Sequence, residues 1–286
     1  MARAAGRAAT PPPEGGTAPV DGIRTGVGGW TYAPWRDNFY PRGLVQRREL
    51  EHASRRLSAI EINGTYYRMQ SAATIARWRD DTPPGFVFTA KAPMRIVQSR
   101  VLAKTGGRVD DFVDGIAALG DRLGPLLWQF DSRGGLDRDD FAAFLDLLPR
   151  EAGGRPLRHV LDVRDPGFVD AGYLELARRH GMATVFTDSP AHPSFADATA
   201  GFVYARLMRS RAGIATGYPR SELAQWARRA REWAAGGEPA DLPRIAPAGA
   251  ARQAPREVFM FFIGAAKERN PAAAMALHDL LVRSSR

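Results

Sequence analysis

The sequence predicts an α/β chain folded as a single TIM-type (β/α)8 barrel with parallel strands. Eight short apolar runs recur between Ile23 and Ile263, each too hydrophobic along its length to keep one face wet, as in a parallel sheet buried on both sides. Helix-spaced apolar segments separate most of them, the alternation that parallel crossovers require. A chain of 286 residues, 44% hydrophobic and 25% charged, can bury one large core. A doubly wound open sheet would alternate in the same way. It would carry a glycine fingerprint after strand one, and Gly26-Val27-Gly28-Gly29 is not that motif.

Strand one is Ile23 to Gly28, followed by a loop with three large aromatics, Trp30, Tyr32 and Trp35. Leu50 to Leu57 reads as helix, Ala59 to Ile62 as strand two, and Thr74 to Arg79 as a short helix stopped by Thr82-Pro83-Pro84-Gly85. Phe86 to Lys91 is strand three, rich in β-formers and ending on a cation. After a helical segment at Val109 to Leu119 comes strand four, Pro125 to Phe130, and then Phe141, Phe144, Leu145 and Leu148 form one helix stripe. His159 to Arg164 is strand five, Tyr173 to His180 a helix, and Ala183 to Asp188 strand six. Ser189 to Gly201 carries prolines and no helix pattern, so the helix after strand six is missing or irregular. Phe202 to Leu207 is strand seven, Leu223 to Trp233 a helix, and Val258 to Ile263 strand eight. Asn270-Pro271 opens the last helix as an N-cap followed by a first-turn proline.

Residues 1–20, rich in Ala, Pro, Gly and Arg, read as a disordered tail without a secretory h-region. The barrel domain spans 21–286, with the Pro/Ala/Gly-rich segment 236–256 as a flexible insertion. Zero cysteines exclude disulfides, thiolate nucleophiles and cysteine metal sites. No apolar run approaches the roughly 20 residues of a membrane helix, and a cytoplasmic location is the default. The formal net charge of +9 comes mostly from arginine, which suits phosphate or carboxylate recognition. It equally suits solvated helix faces such as Ala227 to Arg231.

Several segments resemble the YecE-like family, the TIM-barrel proteins of domain of unknown function 72. They are Gly28-Gly29-Trp30-Thr31-Tyr32 with Trp35 and Tyr40-Pro41, Glu61-Ile62-Asn63-Gly64-Thr65-Tyr66-Tyr67-Arg68, Trp78 with Thr82-Pro83, and Phe86-Val87-Phe88 with Lys91. Leu123-Gly124-Pro125 with Gln129, Asp188, and Tyr204-Ala205-Arg206-Leu207 continue the match, which runs from about Gly26 to Leu281. The resemblance implies the barrel and leaves the activity uncharacterised. Three positions depart from the family pattern. Asp162-Val163-Arg164 stands for Glu-x-Arg, Met208-Arg209 for His-Gly, and Ile263-Gly264 where an Asn is usual.

In such a barrel the functional face lies where strands end. Those tips read Glu61 and Asn63, Lys91, Gln129, Asp162 and Arg164, Asp188, and Arg206. Glu61, Asp162, Asp188 and Lys91 are the catalytic candidates, since carboxylates and an amine on different strands can act as acid and base. Asn63, Tyr66, Trp30, Tyr32, Gln129, Arg164, Arg206, Arg209 and Lys267 are the substrate-binding candidates. A closing ring of ion pairs, Glu61 with Lys91 and Asp162 with Arg164 or Arg206, explains the same tips without catalysis. Arg206, Arg209 and Arg211, with Gly264, Lys267 and Arg269 ahead of the Asn270 helix, form either an anion cradle or a solvated basic loop. None of His52, His159, His180, His192 and His278 falls at a strand tip, so each reads as a surface or core histidine and no metal site is expected.

The ligand expected is a small anionic or sugar-like molecule, with no cofactor, no membrane partner and an open oligomeric state. An enzyme on this plan is a metal-independent hydrolase, lyase or isomerase. A nucleic-acid-binding or nucleic-acid-processing barrel and a non-catalytic ligand sensor are the alternatives, the latter because of Met208 and Ile263.

Overall fold

The chain enters the barrel through a tight turn in which Asp21 and Gly22 both take positive φ, 50° and 77°. Val20 and Ile23 exchange backbone hydrogen bonds of 3.0 and 2.8 Å across it, the geometry that an Asp-Gly pair favours. The computed structural model describes residues 16–131, 135–247 and 254–283. Of the expected tail, 1–15 lie outside the described residues, while the Thr17 hydroxyl donates to the Arg55 carbonyl at 3.1 Å.

Eight parallel strands close the barrel. They are β1 (Ile23–Gly28), β2 (Ala59–Ile62), β3 (Val87–Lys91), β4 (Leu123–Phe130), β5 (His159–Val163), β6 (Ala183–Thr187), β7 (Phe202–Leu207) and β8 (Glu257–Phe262). Their order round the ring is β1-β8-β7-β6-β5-β4-β3-β2. The helices are α1 (Glu49–Ser54), α2 (Gly64–Tyr67), α3 (Ala72–Asp80), α4 (Met94–Val97), α5 (Gly106–Ile116), α6 (Arg138–Asp146), α7 (Ala171–Arg179), α8 (Arg220–Ala234) and α9 (Asn270–Arg283). Short side chains start three of them. Ser71, Asp137 and Asp170 accept from backbone N–H groups three residues on, satisfying donors that a helix start leaves orphaned.

The expected cap at Asn270 is not one. Asn270 has helical dihedrals, φ −58° and ψ −42°, because a 3-10 turn at Lys267–Arg269 runs straight into α9. Its amide donates back to the Gly264 carbonyl at 3.2 Å instead.

No helix stands between β6 and β7 among the described residues. Side chains fasten this connector in place of helical bonding. The Thr199 hydroxyl accepts from Thr184 N at 3.0 Å, and the Asp197 carboxylate accepts from Ile245 N and Ala246 N at 2.8 and 3.0 Å. The latter pair ties the connector to the segment expected to be a flexible insertion, of which residues 248–253 lie outside the described residues.

Alternate residues of each strand point inward. The inner positions form layers. At the N-terminal end Glu257 bridges Arg24 at 2.6 Å and Arg158 at 2.5 Å. Above them Ala59, Val87, Leu127, Val160, Phe259 and Phe261 fill the middle. Gly26 is required here, because a Cβ at this position would fall 2.1 Å from the Ala59 carbonyl oxygen and 3.0 Å from the Phe261 ring. Outside the strands, Trp128 packs edge-on against Phe112 and Phe144. Its indole N–H donates to His159 Nδ1 at 3.0 Å. The opposite ring nitrogen therefore carries the proton and donates to the Pro149 carbonyl at 2.8 Å. Burial pushes the His159 pKa down to about 4.

Candidate functional site

Two residues on from the apolar layer, the same inward parity brings Glu61, Thr89, Gln129, Asp162 and Tyr204 together, and two further on Lys91, Arg164 and Arg206. Glu61 is wholly buried. Its carboxylate accepts from the Tyr204 hydroxyl at 2.8 Å and from Arg206 at 3.0 Å. Tyr204 has one proton to give, so the Thr89 hydroxyl, 2.8 Å away, donates to it. Arg206 also donates to Asp162 at 3.0 Å and to Gln129 Oε1 at 3.3 Å, and Asp162 accepts from Arg164 at 3.3 Å.

Burial alone would lower the Arg206 pKa, but Glu61 and Asp162 outweigh it and hold the guanidinium protonated. Burial, then Glu61, raises Tyr204 well above the ordinary phenol value. This part of the strand-tip set is an ion-paired network with the barrel interior around it.

Lys91 is different. The expected Glu61–Lys91 pair does not form, because Arg206 occupies the carboxylate. No carboxylate lies within ion-pair distance of the Lys91 amine among the described residues; it sits 3.9 Å above the Tyr66 ring. Burial first, then Arg206, lower its pKa to about 8, with Glu61 opposing. The amine opens into a cavity of about 540 Å³ at the C-terminal mouth, between the ends of β1, β2, β3 and β8. Asn63, Tyr66, Trp30 and Lys267 of the expected site line it, as do Trp78 and Gln70. Lys267 Nζ lies 4.5 Å from the centroid of the Tyr32 ring, and burial lowers its pKa too.

Trp30 stands edge-on to Trp78 at 4.8 Å. Trp35 is fully buried and donates to the Lys267 carbonyl at 2.8 Å, which makes it a cap beneath this loop. The family-pattern position at Ile263 gives the cavity an apolar wall.

The other expected residues fall elsewhere. Asp188 faces the β7 exit, where its carboxylate accepts from Met208 N at 2.5 Å and from the Tyr218 hydroxyl at 3.1 Å. Burial raises its pKa. No hydrogen bond joins it to Glu61, Asp162 or Arg206. Arg209 is exposed, and neither it nor Asp188 lines the cavity. The arginine cradle does not assemble: Arg206 is in the network, Arg211 pairs with Glu222 at 2.5 Å, and Arg269 donates to the Ala212 carbonyl at 3.0 Å. The backbone N–H groups of Arg269 and Asn270 are taken up by the 3-10 turn. Among the described residues no group of three or more His, Asp or Glu is arranged to hold a metal ion.

Tyr204 and Thr89 belong to the network without being strand tips. Inward parity finds both, since each lies two residues before a polar tip on its own strand. His192, expected on the surface or in the core, is half-buried. It stands in the β6–β7 connector within electrostatic reach of the network, and burial, then Arg164, lower its pKa. No local signal in the sequence marks it.

Fold and site together define a TIM-barrel protein with a small-molecule-sized cavity at the C-terminal mouth and an ion-paired network beside it. The chain belongs to the family described as "Protein of unknown function DUF72", which matches residues 24–286. It is similar to the UPF0759 protein YecE of Escherichia coli (strain K12), 26% identical over 161 residues, which are 56% of this chain and 55% of the relative. The chain thus spans about half the length of the curated relatives it matches. A DUF72 family protein from Thermotoga maritima MSB8 shares the fold with a TM-score of 0.68 at 21% identity, over 92% of this chain and 99% of the other. One from Enterococcus faecalis V583 does so at 0.65 and 15%, over 91% and 95%. No helix among the described residues is long and apolar enough to cross a membrane.

Proposed function

We propose that the chain binds a small anionic, sugar-like or phosphorylated molecule in the cavity at the barrel mouth, and that Lys91 moves protons there. One observation carries this reading. Among the described residues every charged side chain lining the cavity is cationic, Lys91 and Lys267, and none is a carboxylate. The volume falls in the range of small-molecule sites, about 300–1,000 Å³. Trp30, Trp78 and Tyr66 offer ring faces and edges, while Asn63 and Gln70 offer amides that fix orientation.

The buried network supports the site from below. Arg206 keeps Glu61 from neutralising the Lys91 charge, and the network holds the ends of β2, β5 and β7 in register. A carboxylate already bonded to a tyrosine and an arginine is poorly placed to exchange protons with a ligand, which leaves that role to the amines that line the cavity, Lys91 and Lys267.

Calorimetric titration with inorganic phosphate and with ribose 5-phosphate tests the reading. Binding is expected to weaken about tenfold in Lys267→Ala and in Lys91→Ala, each cation contributing roughly one charge-assisted contact. Absence of binding to the unmutated chain, or affinities unchanged in both variants, rejects it.

A further inference from the structure

Lysine and arginine together number 40, and only three are lysines: Lys91, Lys104 and Lys267. The chain meets nearly every need for positive charge with arginine. Two of its three lysines nevertheless line one cavity, and the third, Lys104, lies exposed on the surface. If a fixed cation were all the cavity required, arginine would serve and would bind phosphate or carboxylate through two parallel hydrogen bonds. What arginine cannot provide is a nitrogen that sheds its proton near neutral pH and then offers a lone pair.

Lys91 has the surroundings that this use needs. Its backbone is pinned in β3, where its carbonyl accepts from the Thr65 hydroxyl at 2.7 Å. The side chain points inward by the parity it shares with Thr89, is 9% exposed, and ends at the cavity wall. The two carboxylates of the network are held by Arg206. The amine therefore rests on a ring face, which stabilises a cation weakly and leaves the neutral form accessible. Desolvation beside another fixed cation is the arrangement that activates an amine as a nucleophile, and the lowered pKa of Lys91 agrees with it.

We propose that Lys91 is the nucleophile of an imine-forming site, and that the molecule taken up is a small aldehyde or ketone bearing an anionic group held by Lys267. The anionic half of this assignment rests on the function proposed above; the imine half rests on Lys91 alone. In the step, the neutral amine adds to the carbonyl carbon and the carbon–oxygen π pair moves to oxygen. A proton passes from nitrogen to that oxygen, giving a carbinolamine. The nitrogen lone pair then expels the hydroxyl, which leaves as water with one proton taken from solvent. The net change is amine, carbonyl and proton to protonated imine and water, with no oxidant or reductant. The resulting cation lies over the Tyr66 ring that already faces the ammonium.

The test uses the whole chain and pyridoxal 5′-phosphate, a carbonyl compound with a phosphate, followed by borohydride reduction and peptide mapping. At pH 7.5 labelling of Lys91 is expected to outpace that of exposed Lys104 by about tenfold or more, because an amine of pKa near 8 is far more often neutral than an ordinary lysine. Pyridoxal lacking the phosphate should label Lys91 more slowly, and inorganic phosphate should protect it. The Lys91→Arg variant should lose the label. The ratio of Lys91 to Lys104 labelling is read on the unmutated chain, so a folding defect in the variant does not blunt the test. Equal labelling of the two, or labelling chiefly at Lys267, overturns the proposal. Phosphate binding without preferential Lys91 labelling removes the imine and leaves the anion site standing. Preferential Lys91 labelling that phosphate neither binds against nor slows overturns the anionic half instead.

Discussion

Arg206 reaches Glu61, 145 residues away in sequence, at 3.0 Å across the barrel interior, joining β7 to β2, which are not neighbours in the sheet. The same guanidinium holds Asp162 on β5 at 3.0 Å. Arg206→Met leaves Glu61 buried with only the Tyr204 hydroxyl and Asp162 with only Arg164. It is expected to cost about 3–5 kcal/mol in urea denaturation. Combining it with Glu61→Gln should recover part of that loss, because the wholly buried carboxylate then carries no charge while Asp162 keeps Arg164. A single variant as stable as the parent would show that the network carries no structural weight.

Gly26→Ala tests the barrel packing. The added methyl would meet the Ala59 carbonyl oxygen at 2.1 Å, a backbone atom that cannot turn aside as a side chain can. A loss of about 3 kcal/mol or more is expected, at or above the upper range for overpacked cores. Thermal melting of the variant beside Gly64→Ala, where the added methyl meets nothing within 4 Å, separates the clash from a general glycine effect.

Lys91 should make stability depend on pH in a definite direction. Its folded pKa of about 8 lies below the ordinary 10.5, so the unfolded chain binds more protons between these values and stability rises with pH through that window. Below about pH 8 the penalty is complete. Lys91→Met is therefore expected to be more stable than the parent by about 1–3 kcal/mol at pH 7, with the gap closing by about pH 10.5. Paired urea melts at pH 7, 8.5 and 10 measure it, and a gap that stays constant would contradict the assignment.

His159 acts on the acid side. With a folded pKa of about 4 against 6.5, the unfolded chain takes up the proton first as pH falls. Stability is lost between about pH 6.5 and 4 and not above. The contribution amounts to about 3 kcal/mol at most. His159→Gln, which can still accept from Trp128 and donate to Pro149, is expected to flatten this limb of the stability curve. An acid limb of unchanged slope would place the loss in other groups.

Much of this was readable along the chain. Apolar runs buried on both faces announce parallel strands, so the eight strands lie close to their expected bounds. The prolines between Ser189 and Gly201 signal the missing helix. Glu61, a carboxylate inside Ala59–Ile62, marks itself as a partnered buried acid, and Lys91, Gln129, Asp162 and Arg206 follow as strand tips.

The sequence by itself determined the fold class and the polar mouth, because periodicity, burial and chain breaks are properties of neighbouring residues. Only the tertiary structure decided who pairs with whom. Arg206 took Glu61 from Lys91, Asp188 turned to Met208 and Tyr218, and Lys267 joined Lys91 from the far end of the chain. Those outcomes depend on the stagger of strands round a closed ring, which sets the heights of side chains from distant segments and leaves space over β1, β2, β3 and β8. A one-dimensional pattern carries no record of that stagger, so the two lysines met in one cavity only when the barrel closed.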